Sequence, residues 1–187
     1  MKSVITTSDI PLQPWKNGLG VTSELAISPP GADFKLNNFD WRISSAMVTG
    51  DNVFSHFAGY NRLLFVLTGH GIILNRKTTI IAGESHRFLG EDSIECSVVQ
   101  GPVLDLGVIF QRDRFRSEME VVTIDKPVDW KFEKGIYFLK GLTTGISVDD
   151  ESVPAVDLIR IEAPDQGRIT AEKYPAKILK ISIRPTK

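Results

Sequence analysis

The chain of 187 residues carries 22 basic and 23 acidic side chains, so its formal net charge is −1. Because neutralising phosphate groups requires clustered Lys and Arg, this balance excludes an electrostatic surface for nucleic acid or an anionic membrane. Hydrophobic residues make up 42% of the chain, which is typical of globular proteins and argues against disorder. The partner that we expect is therefore a small molecule or another protein.

The N-terminal sequence, MKSVITTSDI, has no apolar segment and no cleavage site of small residues, so it predicts no signal peptide. The longest apolar run, LLFVL at 63–67, is far shorter than the ~20 residues that span a bilayer. These two features favour a cytoplasmic protein.

Apolar and polar residues alternate along most of the chain, and Gly, Asn and Asp interrupt the alternation. This period of two predicts an all-β protein of short antiparallel strands. In FDWRISSAMV, at 39–48, the period places Arg42 and Ser44 on one strand face. The segment NRLLFVLTGHGIIL, at 61–74, predicts two strands joined by a tight glycine hairpin. Only QRDRFRSEM, at 111–119, is expected to form a helical turn or a linker.

The second half of the chain repeats the strand pattern of the first half. FVLTG at 65–69 and YFLKG at 137–141 both end a strand in glycine. A repeat of about 70 residues predicts two small barrels or sandwiches in tandem. We expect halves at 1–112 and 113–187 that pack as one compact unit.

The loop PWKNGLGVTSEL, at 14–25, contains the glycines, lysine and hydroxyl groups that a phosphate-binding loop uses. However, it matches neither GxxxxGK[ST] nor the dinucleotide fingerprint. After Gly20 the residues alternate as in a strand, with Thr22 and Glu24 on one face, so no helix N-terminus is available to a phosphate. The sequence therefore predicts a glycine turn between two strands, with Trp15 packed beneath it.

Five polar side chains interrupt strands that are otherwise apolar: Thr22, Glu24, Arg42, Ser44 and Arg62. If their strands are neighbours, two guanidinium groups, one carboxylate and two hydroxyls converge. Buried charges need partners, and Glu24 is able to pair with Arg42 for purely structural reasons. Arg62 then remains as a planar donor suited to a carboxylate. Both interpretations, a structural ion pair and an anion site, stay open at this point.

The sequence offers no support for a metal site or for serine or cysteine catalysis. Two imidazoles two residues apart on one strand face bind a metal ion together, whereas His56, His70 and His86 each stand alone. No GxSxG motif is present. Cys96 alternates with polar residues in SIECSVVQ, which favours an inert thiol in the core. We expect no cofactor.

The segments PWKNGLGVTSELAISP, FDWRISSAMV and FSHFAGYNRLLFVLTGHGIIL resemble the HutD/Ves family over about residues 11–112. The resemblance implies a cytoplasmic bacterial protein with a tandem cupin (bicupin) fold of two antiparallel double-stranded β-helix barrels. It also implies a ligand-sensing or regulatory role in histidine utilisation, with an intermediate such as urocanate or formylglutamate, or a link to stress responses. The positions that match the family motifs are Trp15, Asn17, Gly18, Gly20, Thr22, Glu24, Trp41, Arg42, Ser44, Phe54, Ser55, Gly59 and Arg62.

Several positions depart from the family pattern: DNVFS, at 51–55, replaces the usual Gly-Pro before Phe-Ser, and the other departures are Leu19, Ala58, Asn61 and Gly107. They leave the strands and their charges in place but alter the surroundings of a pocket, so the resemblance does not carry over a particular ligand.

Our first hypothesis is a metal-independent, non-enzymatic cupin that binds a small anionic metabolite, and cupin pairing through sheet edges also allows a homodimer. In it, Arg62 and Arg42 hold the anion, Glu24 orients Arg42, and Trp15 forms an apolar wall. The alternatives are an isomerase or lyase that uses Glu24 and a protein-interaction module. The predicted ligand-binding residues are Trp15, Asn17, Thr22, Glu24, Arg42, Ser44, Ser55 and Arg62.

Overall fold

The computed structural model describes residues 1–15 and 18–186. Two short 3-10 helices occur there, at Thr7–Asp9 and Phe34–Leu36, and no helix in these ranges is long and apolar enough to cross a bilayer. The strands are β1 (Lys2–Ile5), β2 (Gln13–Pro14), β3 (Gly20–Ser28), β4 (Trp41–Val48), β5 (Asn52–Val53), β6 (Tyr60–Thr68), β7 (Ile72–Leu74), β8 (Thr78–Ile80), β9 (Ser85–Leu89), β10 (Glu95–Val98), β11 (Val103–Gln111), β12 (Phe115–Ile124), β13 (Val128–Gly141), β14 (Ile146–Val148), β15 (Glu151–Val153), β16 (Leu158–Ala171) and β17 (Ala176–Pro185).

The chain folds into two compact units. The N-terminal unit comprises Ile10–Phe115, and the C-terminal unit comprises Met1–Asp9 with Arg116–Lys187. The strand pairs in both units are antiparallel, which confirms the predicted all-β class. In the N-terminal unit, a six-stranded sheet has the order β2-β3-β4-β11-β6-β9 and a four-stranded sheet has the order β5-β10-β7-β8.

The core of the N-terminal unit takes side chains from both of its sheets. Leu64 and Val66 of the larger sheet cluster with Ile72, Leu74 and Cys96 of the smaller one. Burial raises the pKa of Cys96 to about 12, so the thiol stays protonated at neutral pH. This placement agrees with the expected inert thiol.

The predicted hairpin at 61–74 is wrong, because β6 belongs to the six-stranded sheet and β7 to the four-stranded sheet. Gly69 and Gly71 do have the positive φ that the sequence predicted, at 103° and 118°. A Cβ at Gly71 would lie 2.5 Å from the carbonyl oxygen of Ile80. The glycines therefore let the chain pass close to neighbouring backbone as it crosses from one sheet to the other. Alternation of residues cannot distinguish such a crossing from a hairpin.

The C-terminal unit contains a seven-stranded sheet with the order β12-β17-β13-β16-β14-β15, and β1 pairs with β16. Its buried Lys140 donates to the carbonyl oxygens of Ala155 and Val156 at 2.6 and 2.7 Å. Burial lowers the pKa of this ammonium to about 8. Because Lys140 bonds the backbone, its role in this unit is structural.

The expected helical turn at 111–119 is wrong, whereas the alternative of a linker agrees with the boundary between the two units, which falls after Phe115. Strand β11 ends at Gln111 and β12 begins at Phe115, so a tight turn joins two strands. Arg112, Asp113 and Arg114 lie in the turn, and Arg116 and Glu118 are exposed on β12.

Candidate functional site

One face of the six-stranded sheet brings the predicted polar residues together. Arg42 on β4 and Arg62 on β6 both lie opposite Ile109 of β11. Because neighbouring strands are ~4.8 Å apart, the two arginine Cα atoms are separated by about 10 Å. On the same face, Ser44 lies opposite Gly107.

A cavity of about 750 Å³ opens on this face. Six of the predicted residues line it: Trp15, Thr22, Arg42, Ser44, Ser55 and Arg62. Glu24 does not line the cavity but contacts Arg42. Asn17 lies outside the described residues.

Arg42 is fixed in the cavity wall by its neighbours. Its Nε donates to Oε2 of Glu24 at 2.7 Å, and its Nη1 donates to Oγ of Ser44 at 3.1 Å. The guanidinium carbon also lies 4.3 Å from the ring centroid of Phe34. Arg42 and Glu24 are 7% and 26% exposed, so the ion pair is largely removed from water. The ion pair between Glu24 and Arg42 that the sequence allowed is therefore present, and it fixes the guanidinium in the wall.

Arg62 is held by aromatic rings and not by a carboxylate. Its guanidinium carbon lies 4.9, 5.7 and 5.0 Å from the ring centroids of Phe54, Phe57 and Phe88. Nη1 donates to the carbonyl oxygen of Ser55 at 3.0 Å, and no carboxylate of residues 1–15 or 18–186 forms an ion pair with it. Desolvation lowers the pKa of Arg62 to about 10, so it stays charged at neutral pH. Most of its N–H donors are thus available to a ligand.

The glycine loop forms the edge of the cavity as a backbone turn. Trp15 N donates to Gly20 O at 2.9 Å, and its indole Nε1 donates to Oγ1 of Thr22 at 2.7 Å. Because β3 begins at Gly20, no helix N-terminus is present to bind a phosphate. The loop positions Trp15 and Thr22 beside the cavity.

Gly20→Ala is expected to lower the free energy of unfolding by about 1–3 kcal/mol, because its methyl group would overlap two fixed neighbours. A Cβ at Gly20 would lie 2.7 Å from Met47 O and 2.9 Å from the Trp15 ring. Gly107→Ala is the matched control, because its Cβ would meet nothing closer than 3.8 Å. Urea unfolding of both variants measures the effect, and equal midpoints would contradict the close packing at Gly20.

Asp105 is a cavity residue that the sequence reasoning missed. It lies in the same wall, is only 6% exposed, and accepts a hydrogen bond from Ala46 N at 3.3 Å. Burial raises its pKa to about 7, although the Ala46 N–H and the charge of Arg62 oppose that shift. The sequence does contain a sign of this residue, because DLGVIF has a single acidic residue in an otherwise apolar strand segment. Arg42 was selected as a candidate for the same reason.

The described part of the chain contains no group of three or more His, Cys, Asp or Glu placed to hold a metal ion. His56 and His70 are exposed, and His86 is half-buried on β9. The cavity therefore presents guanidinium, hydroxyl, carboxyl and aromatic groups to a ligand.

A model of the family described as HutD matches residues 7–178. An uncharacterised 21.2 kDa protein in the hutC 3′ region of Pseudomonas putida is 31% identical over 121 residues, which are 63% of this chain and 62% of that protein. Protein Ves of Citrobacter koseri is 30% identical over 117 residues, 60% of this chain and 59% of that protein. The matches thus cover less than two thirds of these relatives.

Solved structures show the same fold over nearly the whole chain. A conserved protein of unknown function from Pseudomonas aeruginosa PAO1 has a TM-score of 0.85 and 27% identity, covering 98% of this chain and 99% of that one. HutD from Pseudomonas fluorescens SBW25 has a TM-score of 0.83 and 22% identity, with both chains covered completely. A cupin 2 conserved barrel domain protein from Leptotrichia buccalis has a TM-score of 0.61 and 16% identity, covering 97% and 96%. The fold is therefore cupin-like.

Proposed function

The chain belongs to the HutD family, and we propose that its N-terminal unit binds a small carboxylate-bearing metabolite without a metal ion. The observation that carries this proposal is Arg62, a charged guanidinium in the cavity wall that forms no ion pair with a carboxylate of the described residues, although the charge of Asp105 favours its protonated form. This guanidinium is half-buried and partly desolvated, and an anionic ligand would supply its counter-ion.

Arg42 provides the second positive group of the proposed site. Glu24 accepts from its Nε and Ser44 accepts one N–H of its Nη1, so the second N–H of Nη1 and both N–H groups of Nη2 are presented in a fixed orientation. Such preorganisation reduces the entropy that binding must offset. Thr22 and Trp15 complete the wall with a hydroxyl and an aromatic surface.

Glu24 is poorly placed to act as a general base. Its carboxylate accepts from Arg42 at 2.7 Å and does not line the cavity. Because a general base must reach the proton that it removes, this position favours a binding protein over the isomerase or lyase alternative.

For the whole chain, we propose a tandem of two cupin barrels, each a double-stranded β-helix, with the ligand site in the N-terminal unit. The cupin-like neighbours and the separate sheets of the two units support this arrangement. A relative in the hutC 3′ region supports the further proposal of a regulatory role in histidine utilisation.

Replacing Arg62 by lysine is expected to weaken carboxylate binding at least tenfold, because lysine keeps the charge but loses the planar pair of donors. The measurement is thermal shift and titration calorimetry of metal-free protein with urocanate, formylglutamate, histidine and glutamate. Arg87→Lys is the matched control, since Arg87 lies on neighbouring β9, packs 5.7 Å from a phenylalanine ring and does not line the cavity.

Saturable stabilisation that Arg62→Lys removes and Arg87→Lys retains would support the proposal. A panel without any shift would contradict it, and a protein-interaction module would then be the better interpretation.

A further inference from the structure

We infer that Asp105 binds a protonated nitrogen at the second end of the ligand, so that the cavity recognises a small zwitterion. This inference rests on the proposed function, because it assigns the carboxylate end of the ligand to the arginines. It adds a specificity-determining residue and a chemical class, namely molecules that carry both a carboxylate and an amine, amidine or imidazolium group.

The hydrogen bonding of Asp105 is incomplete within the protein. A carboxylate offers about four acceptor positions. Among the described residues, only Ala46 N donates to Asp105, and that bond is long, at 3.3 Å. The residue is 6% exposed and lines the cavity, so its further donors must come from groups that enter the cavity, and a ligand would supply one of them.

Arg62 does not serve as the counter-ion that would stabilise the buried carboxylate of Asp105. The Coulombic effect of Arg62 on Asp105 is secondary to desolvation, and no ion pair joins them. The Arg62 side chain is instead fixed by Ser55 O and by three phenylalanine rings. Separate positive and negative groups in one cavity are what a zwitterion requires.

A structural role alone would not require a carboxylate at this position. Asparagine would accept the same hydrogen bond from Ala46 N, and it would avoid the desolvation that raises the pKa of Asp105 to about 7. A cationic ligand group would instead offset that desolvation by a charge-assisted hydrogen bond.

Gly107 keeps the space between the two ends open. Asp105, Gly107 and Ile109 lie on the cavity side of β11. Ile109 pairs with Arg42 on one side and with Arg62 on the other, so the three residues form one row across the sheet. Because Gly107 has no side chain, the floor between Asp105 and that row is unobstructed. From Ile109 to Asp105 is about 13 Å along the backbone of the strand. The charged ends of Arg62 and Asp105 still interact electrostatically, so ligands with several different spacings between their charged groups are tested.

The test compares pairs of ligands that differ only at the second end. The probes are 4-aminobutanoate with pentanoate, 5-aminopentanoate with hexanoate, and 6-aminohexanoate with heptanoate, titrated by calorimetry at pH 7.5. In each pair a methyl group replaces the ammonium. We expect at least tenfold tighter binding of one aminoalkanoate than of its alkanoate, because the methyl would desolvate Asp105 without pairing it.

Asp105→Asn is expected to reduce this affinity ratio to about one, and Gly107→Leu is expected to abolish binding of both ligands by filling the floor. Glu95→Gln, an exposed position on β10, is the control and should keep the wild-type ratio. Equal binding of both ligands by the wild type, dependent on Arg62, would overturn the inference and leave the proposed function intact. Binding of neither series would overturn the inference, and the panel of urocanate, formylglutamate, histidine and glutamate tests the proposed function separately.

Discussion

Arg42→Ala is expected to lower the free energy of unfolding by about 2–4 kcal/mol, because it leaves the carboxylate of Glu24 unpaired. The lost contacts are the bond to Glu24 at 2.7 Å, the bond to Ser44 at 3.1 Å and the packing against Phe34. Since Arg42 is only 7% exposed, water replaces few of these interactions. Urea unfolding followed by tryptophan fluorescence measures the change, and Trp41, which is 2% exposed, reports on the same strand.

Arg168→Ala is the matched control for the loss of an ion pair. Arg168 and Asp129 are 3.6 Å apart and are 60% and 77% exposed, so the expected loss is below about 0.5 kcal/mol. Adding Glu24→Gln to Arg42→Ala should recover part of the stability, because no unpaired charge then remains. An unchanged midpoint for Arg42→Ala would show that water solvates the pair, and Glu24 would then have no orienting role.

The cavity-facing positions on the strands could be predicted from sequence because a strand has a period of two. Once Arg42 is assigned to one face of its strand, Ser44 must share that face, and the same rule joins Thr22 to Glu24. The rule does not give strand order. β11 lies between β4 and β6, so Ile109 separates the two arginines, and only long-range pairing determines this.

Residues from loops could not be predicted in the same way. Phe57 lies between strands, where no period specifies the direction of a side chain, yet its ring contacts Arg62. The connection through Gly69 and Gly71 was predicted wrongly because glycines with positive φ occur both in hairpins and where two backbones approach closely. Asp105, by contrast, could have been predicted, because its strand was identified from the sequence and it is the acidic residue of an apolar segment.

Asp105→Asn is expected to raise the free energy of unfolding at pH 8 by about 2–4 kcal/mol, since one pKa unit corresponds to about 1.4 kcal/mol. Burial raises the pKa of Asp105 from 3.8 to about 7. Between these values the folded protein keeps a proton that the unfolded chain has released. This carboxyl therefore makes the wild type lose stability as the pH rises from about 4 to about 7, and the loss is constant above that range. Because asparagine does not ionise, the Asp105→Asn variant lacks this dependence of the free energy of unfolding on pH.

The measurement is urea unfolding of the wild type and of Asp105→Asn at several pH values between 4 and 8. The difference between their free energies of unfolding is then plotted against pH. Arg62 and Cys96 interact with Asp105, but their pKa values of about 10 and about 12 keep them from titrating in this range. Glu95→Gln, at an exposed position, is the control for removing a carboxylate elsewhere on the same unit. A uniform destabilisation by Asp105→Asn would mean that the carboxylate is ionised and well bonded in the folded protein. A variant that gains stability at pH 8 while losing the preference for aminoalkanoates would link both effects to the same carboxylate, because the desolvation that weakens the free protein is what a cationic ligand group would offset.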